Sequence, residues 1–464
     1  MGVAVSSWQL ARAVATGGHM GVVSGTALDG VLARVLQDGD RGGHARRALA
    51  HFPSPAMAER VLDAYFLEGG RPEGQPYRPH PTLTIAPKRA AIELSLAGNF
   101  VEVWLAKEGH TGLVGINFLE KIQTATLSAV LGAMLADVDY VLMGAGIPKE
   151  MPRVLTDFAH GRAGHLDIAV ANQSRTHTAA LDPRTYLGDE LPQLRRPEFL
   201  AIISLHVLGG YLARDPEIRP DGFVVEGPVA GGHSAPPRGT MRLDDTGQPI
   251  YSAKDEADIT KMVTLGLPFW LAGAWSTPEK VAAARAAGAE GVQCGTVFAL
   301  ASDSGLTDEL RGRLLDQLRA GTLVVRNDPR ASPTGFPFKV AELSGTLAEP
   351  ERYEARNRIC DLGYLRAPVE KADGSIIYRC ASEPVHMYVK KGGDIADTVG
   401  RKCLCNALFA NIGMPQLRKA PEVYAEEPAI TLGQDLAGAE GLLRAYPDGW
   451  NAAQAVEWLL SATN

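Results

Sequence analysis

The chain has 464 residues, of which 45% are hydrophobic and 21% charged, with a formal net charge of −7 at pH 7. That composition is ordinary for a globular protein and long enough for one large domain plus a smaller one. The negative balance argues against a general nucleic-acid or anionic-membrane surface. Five cysteines do not make a disulfide scaffold, so a reducing, cytoplasmic setting is expected.

The N-terminal "MGVAVSSWQL" lacks the basic region and long apolar core of a secretory signal. It matches the short myristoylation pattern through Gly2 and Ser6, a match that arises often by chance. From residue 8 onward, helical patterns alternate with short apolar runs. The strand candidates are 20–25, 112–118, 139–146, 199–204, 222–227, 268–274 and 290–298. Most are continuous apolar runs rather than alternating ones, the mark of parallel strands covered on both faces. "TPEKVAAARAAG" reads as a helix with Thr277 as N-cap, Pro278 in the first turn and Gly288 as the stop. Repeated βα units predict a parallel sheet, doubly wound or closed into a barrel.

Two segments interrupt the rhythm: a mostly helical insertion at 29–110, with the proline-rich "RPEGQPYRPHP", and an irregular insertion at 166–196. The βα pattern fills 1–305. A C-terminal subdomain with its own turn punctuation, "NDPRASPTGFPF", is expected over 306–464.

Strand ends carry the chemistry. "LAGAWSTPEK" puts Gly273 at the end of one strand with Ser276 and Thr277 opening a helix, and "GVQCGTVF" puts Gly295 and Thr296 at the end of the next. Adjacent strand ends of this kind offer backbone N–H groups to a phosphate, although each could be a plain turn. One strand earlier, "VEGPVAGGHSAPPRG" ends in Gly231-Gly232-His233. A histidine at that strand end can exchange a proton near neutral pH; a surface histidine is the alternative. Asn117 closes "GLVGINF", either to meet a planar heterocycle or to cap the next helix.

Together "VEGPVAGGHSAPPRG", "PFWLAGAW" and "GAEGVQCGTVF" resemble the nitronate monooxygenase (2-nitropropane dioxygenase) family. Its members are FMN-dependent (β/α)₈ enzymes, similar in turn to FMN-dependent enoyl-ACP reductases and polyketide enoyl reductases. The resemblance extends over "MGVAVSSWQLARAVATGGHMGVVSGT", "VGINFLEKIQ" and "DYVLMGAGIP", most of residues 1–300. It implies that His233 is the catalytic base. It also implies that Gly273, Ala274, Gly295 and Thr296 hold the FMN phosphate, that Gly231 lies in the cofactor loop, and that Asn117 and the Met1-Gly2 loop meet the isoalloxazine ring. The implied reaction is oxidation of an alkyl nitronate with O₂. The alternatives are an NAD(P)H-dependent enoyl-thioester reductase and a flavin-binding partner subunit without turnover. Expected partners are a small-molecule substrate and a further copy in a homo-oligomer, with no nucleic acid or membrane.

The sequence departs from the family pattern in three ways. "SAPP" intervenes after the histidine before Arg238-Gly239, and the Gly-Gly-Ile phosphate loop appears as Gly273-Ala274-Trp275. The family's first strand precedes the Met-Gly loop, whereas this chain opens on that loop. Seven strand candidates against eight in a closed barrel therefore lead us to expect a first strand upstream of Met1, with "LDIAVANQ" as the alternative eighth strand. Gly2 then reads as a flavin-loop residue rather than a lipidation site. Finally, Cys360, Cys380, Cys403 and Cys405 are enough thiolates for zinc or an iron–sulfur cluster, but they lack paired C-x₂-C knuckles and read equally as core cysteines.

Overall fold

The seven expected strands all form and assemble into one sheet. The computed structural model describes residues 2–188, 190–419 and 423–462. The strands are β1 (Gly21–Ser24), β2 (Val114–Leu119), β3 (Tyr140–Gly144), β4 (Glu198–Ile203), β5 (Gly222–Glu226), β6 (Phe269–Ala272) and β7 (Gly291–Gln293). Their order in the sheet follows the chain, and every neighbouring pair is parallel. Right-handed crossovers without a reversal of strand order put the connecting helices on one face, so the sheet is singly wound and its other face turns inward.

The side-chain pattern fits that topology. Val141, Met143, Phe199, Ala201, Phe223, Val225, Phe269 and Leu271 join the large core beneath the helices. The alternate residues Leu142, Leu200, Ile202, Val224 and Ala272 form a separate inner core with Val22 and Trp270. Leu142 stands opposite Leu200, and Val224 opposite Trp270. Strands buried on both faces have no reason to alternate polar and apolar residues. Burying each phenylalanine stabilises the fold by roughly 1.5–3 kcal/mol.

The same phase sets the rim at the C-terminal strand ends. Ser24 pairs in register with Asn117, Glu226 with Ala272, and Ala272 with Gln293. These residues share the inward phase of Val22, Val224 and Trp270. The rim is thus polar where the barrel interior is apolar.

Among the described residues nothing pairs β1 with β7. The space between them is lined by Met20 and Val22 on one side, Val292 and Cys294 on the other, and Leu459 of the helix Ala452–Leu460. "LDIAVANQ" does not fill it. Gly164–Ile168 pairs antiparallel with His177–Leu181 in a hairpin outside the main sheet. The 166–196 insertion is therefore less irregular than its sequence suggests: it also holds the short helix Pro183–Leu187, capped by Asp182.

The 29–110 insertion is helical as expected, with Leu28–Gln37, His44–Leu49, Pro55–Tyr65 and Arg89–Lys107. In the last of these, the buried Glu102 accepts a 3.0 Å hydrogen bond from the Trp8 N–H that opens the helix Trp8–Thr16. Beyond residue 300 come the helix Asp308–Arg319, three two-stranded hairpins and the helices Leu404–Asn411, Ala437–Ala445 and Ala452–Leu460. Several pieces of this region reach the strand ends, among them residues 332–341, which meet His233, and the stretch from Ile430 to Gly433.

Candidate active site

Two cavities open side by side at the C-terminal ends of the strands and share Asn117, Glu226, Ala230 and Gly231 in their walls. The first is a cradle of backbone. Gly2, Asn117, Gly231, Gly273, Ala274, Gly295 and Thr296 all line it. After β6 the chain turns through two successive left-handed residues, Gly273 (φ 77°) and Ala274 (φ 62°). A Cβ on Gly273 would lie 3.2 Å from Ala230 N and Gly227 O, so glycine is required there. A Cβ on Gly295, by contrast, would meet nothing within 4 Å.

Among the described residues, the N–H groups of Ala274, Trp275, Ser276, Gly295 and Thr296 have no hydrogen-bond acceptor. Gly295 is exposed and the other four residues are half-buried along the cavity wall. Loop N–H groups without an internal acceptor around a cavity are available to an anion. The helix after Gly295 is a single turn, Thr296–Ala299, so the loop amides rather than a long helix supply the positive end. The Thr296 hydroxyl is already engaged, accepting from Gly433 N–H at 2.8 Å. Gly232 N–H likewise donates to Thr431 Oγ1 at 2.9 Å. The Ile430–Gly433 stretch thus braces both glycine loops from the C-terminal region.

The second cavity is built from side chains. His233 lines it, with Lys121, Glu226, Arg238, Tyr251, Asp255 and Phe336. His233 sits in a strand-like contact: Ser234 N–H donates to Pro337 O at 3.0 Å, and Lys339 N–H to Gly232 O at 2.9 Å. Its ring packs edge-on against Phe338, with centroids 4.9 Å apart, and its Nε2 lies 2.7 Å from Ser332 Oγ. Nδ1 has no partner among the described residues. Burial, aided by the nearby Lys121 charge, holds the His233 pKa down to about 3. The imidazole is therefore neutral throughout the physiological range, unlike the near-neutral titration that its loop position suggests from sequence.

Two lysines flank it, Lys121 half-buried and Lys339 fully buried. Desolvation brings each down to about 8, against the pull of Glu226. Lys339 is fully paired: its Nζ donates to Pro228 O at 2.8 Å and to Ser234 Oγ. Burial also raises Glu226, against the pull of Lys339 and Lys121.

The fold thus gathers the expected cofactor residues in one cavity and places His233 in the adjoining one; Met1 lies outside the described residues. Sequence reading missed Glu226, Gln293, Lys121, Ser332 and the Thr431-Leu432-Gly433 segment. Glu226 and Gln293 were accessible through strand phase, being two residues past the inward Val224 and Gly291. Ser332 and Thr431 reach the site only through tertiary packing.

The cysteine expectation divides. Cys360 and Cys380 hydrogen-bond to each other, and Cys403 and Cys405 lie near enough to interact electrostatically. The Cys360 contact draws the Cys380 thiol down to about 7. All four are free thiols, yet no three His, Cys, Asp or Glu side chains among the described residues are disposed to hold a metal ion. Their sulfurs turn to other partners: Cys380 Sγ to Ser382 Oγ at 3.1 Å, and Cys403 Sγ to Ile359 O at 3.8 Å and Asn406 Nδ2 at 3.6 Å. Nothing among the described residues supports the expectation of zinc or an iron–sulfur cluster.

Residues 207–336 match the family model described as nitronate monooxygenase. That stretch holds β5, His233, β6 and β7, so the resemblance read from the motifs is shown on the segment that carries most of them. No curated protein matches the chain. Among solved structures, FabK from Thermotoga maritima is 14% identical, with a TM-score of 0.46, over 98% of this chain and 88% of its own. Nitroalkane oxidase from Streptomyces ansochromogenes is 15% identical, with a TM-score of 0.43, over 100% and 95%. The enoyl reductase domain of MlnA from Bacillus amyloliquefaciens is 11% identical, with a TM-score of 0.36, over 75% and 63%.

Proposed function

We propose that this chain is an FMN-dependent oxidoreductase that oxidises an alkyl nitronate or a similar stabilised carbanion. The observation that carries the reading is the set of unpaired amides from Ala274 to Ser276 and at Gly295 and Thr296, around a cavity walled by the other expected cofactor residues. The match of residues 207–336 to the nitronate monooxygenase model supports it.

The residues present fit the group. The loop amides would hold the phosphate, and the open space at Gly295 leaves the backbone free to approach it. Asn117 and Glu226, in the wall shared by the two cavities, are available to the ring system. When bound, FMN supplies a two-electron acceptor. The protein supplies orientation, shelter from water and a neutral imidazole.

That imidazole shapes the choice of substrate. A His233 whose pKa is held near 3 is a weak base and poorly suited to removing a proton from a neutral nitroalkane. It suits a substrate that arrives already deprotonated, as a nitronate does. Its role is then to hydrogen-bond and position that substrate, with Ser332 fixing the ring.

Anaerobic mixing of the FMN-loaded protein with an alkyl nitronate, and separately with NADH or NADPH, tests the reading. Flavin bleaching by the nitronate and not by the pyridine nucleotides is the expected result. Bleaching by NAD(P)H followed by turnover of an enoyl thioester would move the assignment to the reductase. Stable flavin binding without reduction by either would leave a flavin-binding partner subunit.

A further inference from the structure

Lys121, just beyond β2, lines the His233 cavity, and its Nζ lies 3.3 Å from the centroid of the Phe336 ring. Among the described residues it makes no hydrogen bond and no ion pair within 4.0 Å. Lys339, fully buried behind the chamber wall, is different, with Pro228 O and Ser234 Oγ satisfying its Nζ. Lys121 is half-buried, so its ammonium keeps only part of its hydration; its three donors gain from an anionic partner in the chamber. The face of an aromatic ring steadies such a cation without neutralising it.

The other charged and titratable groups around the chamber do not take up this charge. Glu120, next in the chain, accepts from Gln123 Nε2 at 2.7 Å. Asp255 accepts from the N–H groups of Arg238 and Ser252. Glu226, from β5, acts on Lys121 through space without contact, and burial favours its protonated form. Tyr251 donates to Ala235 O at 2.9 Å, and the neutral His233 offers no countercharge. Phe118, Ile202 and Leu205 give the chamber an apolar side.

We propose that Lys121 is the anion-recognition residue of this chamber: it binds the negatively charged end of the substrate, the nitronate or a carboxylate, while the apolar part rests against Phe118, Ile202 and Leu205. This rests on the reading of the chamber as the substrate site and narrows the substrate to an anion. A neutral thioester would leave the ammonium unpaired. Arg238, the other cation in the chamber wall, is exposed to solvent and therefore a weaker source of selectivity.

The test uses propionate as the anionic probe and propionamide as its neutral counterpart, titrated calorimetrically into wild type, Lys121→Met and Lys121→Arg. Wild type should prefer propionate, and Lys121→Met should lose about 10–100-fold of that affinity, the range of one charge-assisted hydrogen bond. Propionamide binding should not change, and Lys121→Arg should keep most of the preference. With an alkyl nitronate, Lys121→Met should raise KM by a similar factor and leave kcat within a few-fold. Thermal melts and flavin content identify a variant that has merely misfolded, in which case Lys121→Arg and Lys121→Gln decide the matter. Equal affinity of wild type for the two probes, or undiminished propionate binding by folded Lys121→Met, overturns the proposal. Failure of wild type to take up FMN would instead overturn the oxidoreductase reading, and the propionate titration can be read without flavin.

Discussion

The two cavities share a wall but are made of different material. The cofactor cradle is backbone: glycines, left-handed turns and unpaired amides, with few side chains that could change charge. The neighbouring chamber is side chain, with a histidine, a lysine, an arginine and two carboxylates in its wall. A backbone cradle binds by fixed dipoles, so its affinity depends on shape and on the absence of side chains. A chamber lined by half-buried titratable groups binds through side chains whose protonation depends on one another and on desolvation. The first should be insensitive to pH but intolerant of added volume; the second should show the reverse.

The largest expected effect is on volume. Gly295→Leu should abolish FMN uptake, read as loss of the 450 nm-region flavin spectrum after reconstitution (about 100-fold or more in affinity, the equivalent of roughly 3 kcal/mol). The apoprotein should melt as wild type does, because no neighbour stands within 4 Å of the new Cβ. Normal flavin content in this variant would break the assignment of the cradle.

Next comes His233→Asn, which should retain flavin but lose about 10²–10³-fold in kcat, the range for removing one positioned donor. The wild-type rate should stay flat between pH 5 and 7, because the imidazole titrates near 3. An acid limb near pH 6.5 that vanishes in the variant would restore His233 as a general base.

The same histidine makes a stability prediction. Its folded pKa of about 3 lies below the 6.5 of a free imidazole. Below pH 6.5 the unfolded chain takes up a proton that the folded chain refuses, so this contribution is lost as pH falls from 6.5 towards 3. At pH 5 the loss is about 2 kcal/mol, which chemical denaturation of wild type and His233→Asn at pH 7 and pH 5 would reveal. Equal pH dependence in both proteins counts against a neutral, half-buried ring.

The smallest effect concerns Glu226, in the wall between the cavities. Anion binding should weaken as pH rises past about 8, where Lys121 loses its proton. Since Glu226 raises Lys121, Glu226→Gln should move that alkaline limb to lower pH by a fraction of a unit, with flavin affinity changed less than about threefold. An unmoved limb would mean that Glu226 is already protonated in the wild type.

Much of this architecture could be read from the chain. All seven strands of the sheet fall where continuous apolar runs predict them, because parallel strands buried on both faces need no alternation. The expected glycines do line one cavity: a backbone cradle leaves its mark in glycine positions, and each of Gly231, Gly273 and Gly295 sits in a locally readable strand-end loop. The insertion at 166–196 was misjudged because the pairing of Gly164–Ile168 with His177–Leu181 spans an eight-residue loop with no short hairpin-turn signal.

The sequence by itself determined the seven parallel strands, the glycine loops and the presence of a histidine at a strand end, since each depends on residues close together in the chain; the strand order, and with it the single winding, came from the fold. Only the tertiary structure decided what that histidine is. Ser332 and Phe338 come to it from about a hundred residues away, and burial beside Lys121 keeps it neutral. It likewise decided that Lys339 is paired and that Lys121, among the described residues, is not. Local patterns fix backbone conformation, whereas a side chain's charge is set by neighbours and desolvation that the fold brings from elsewhere in the chain.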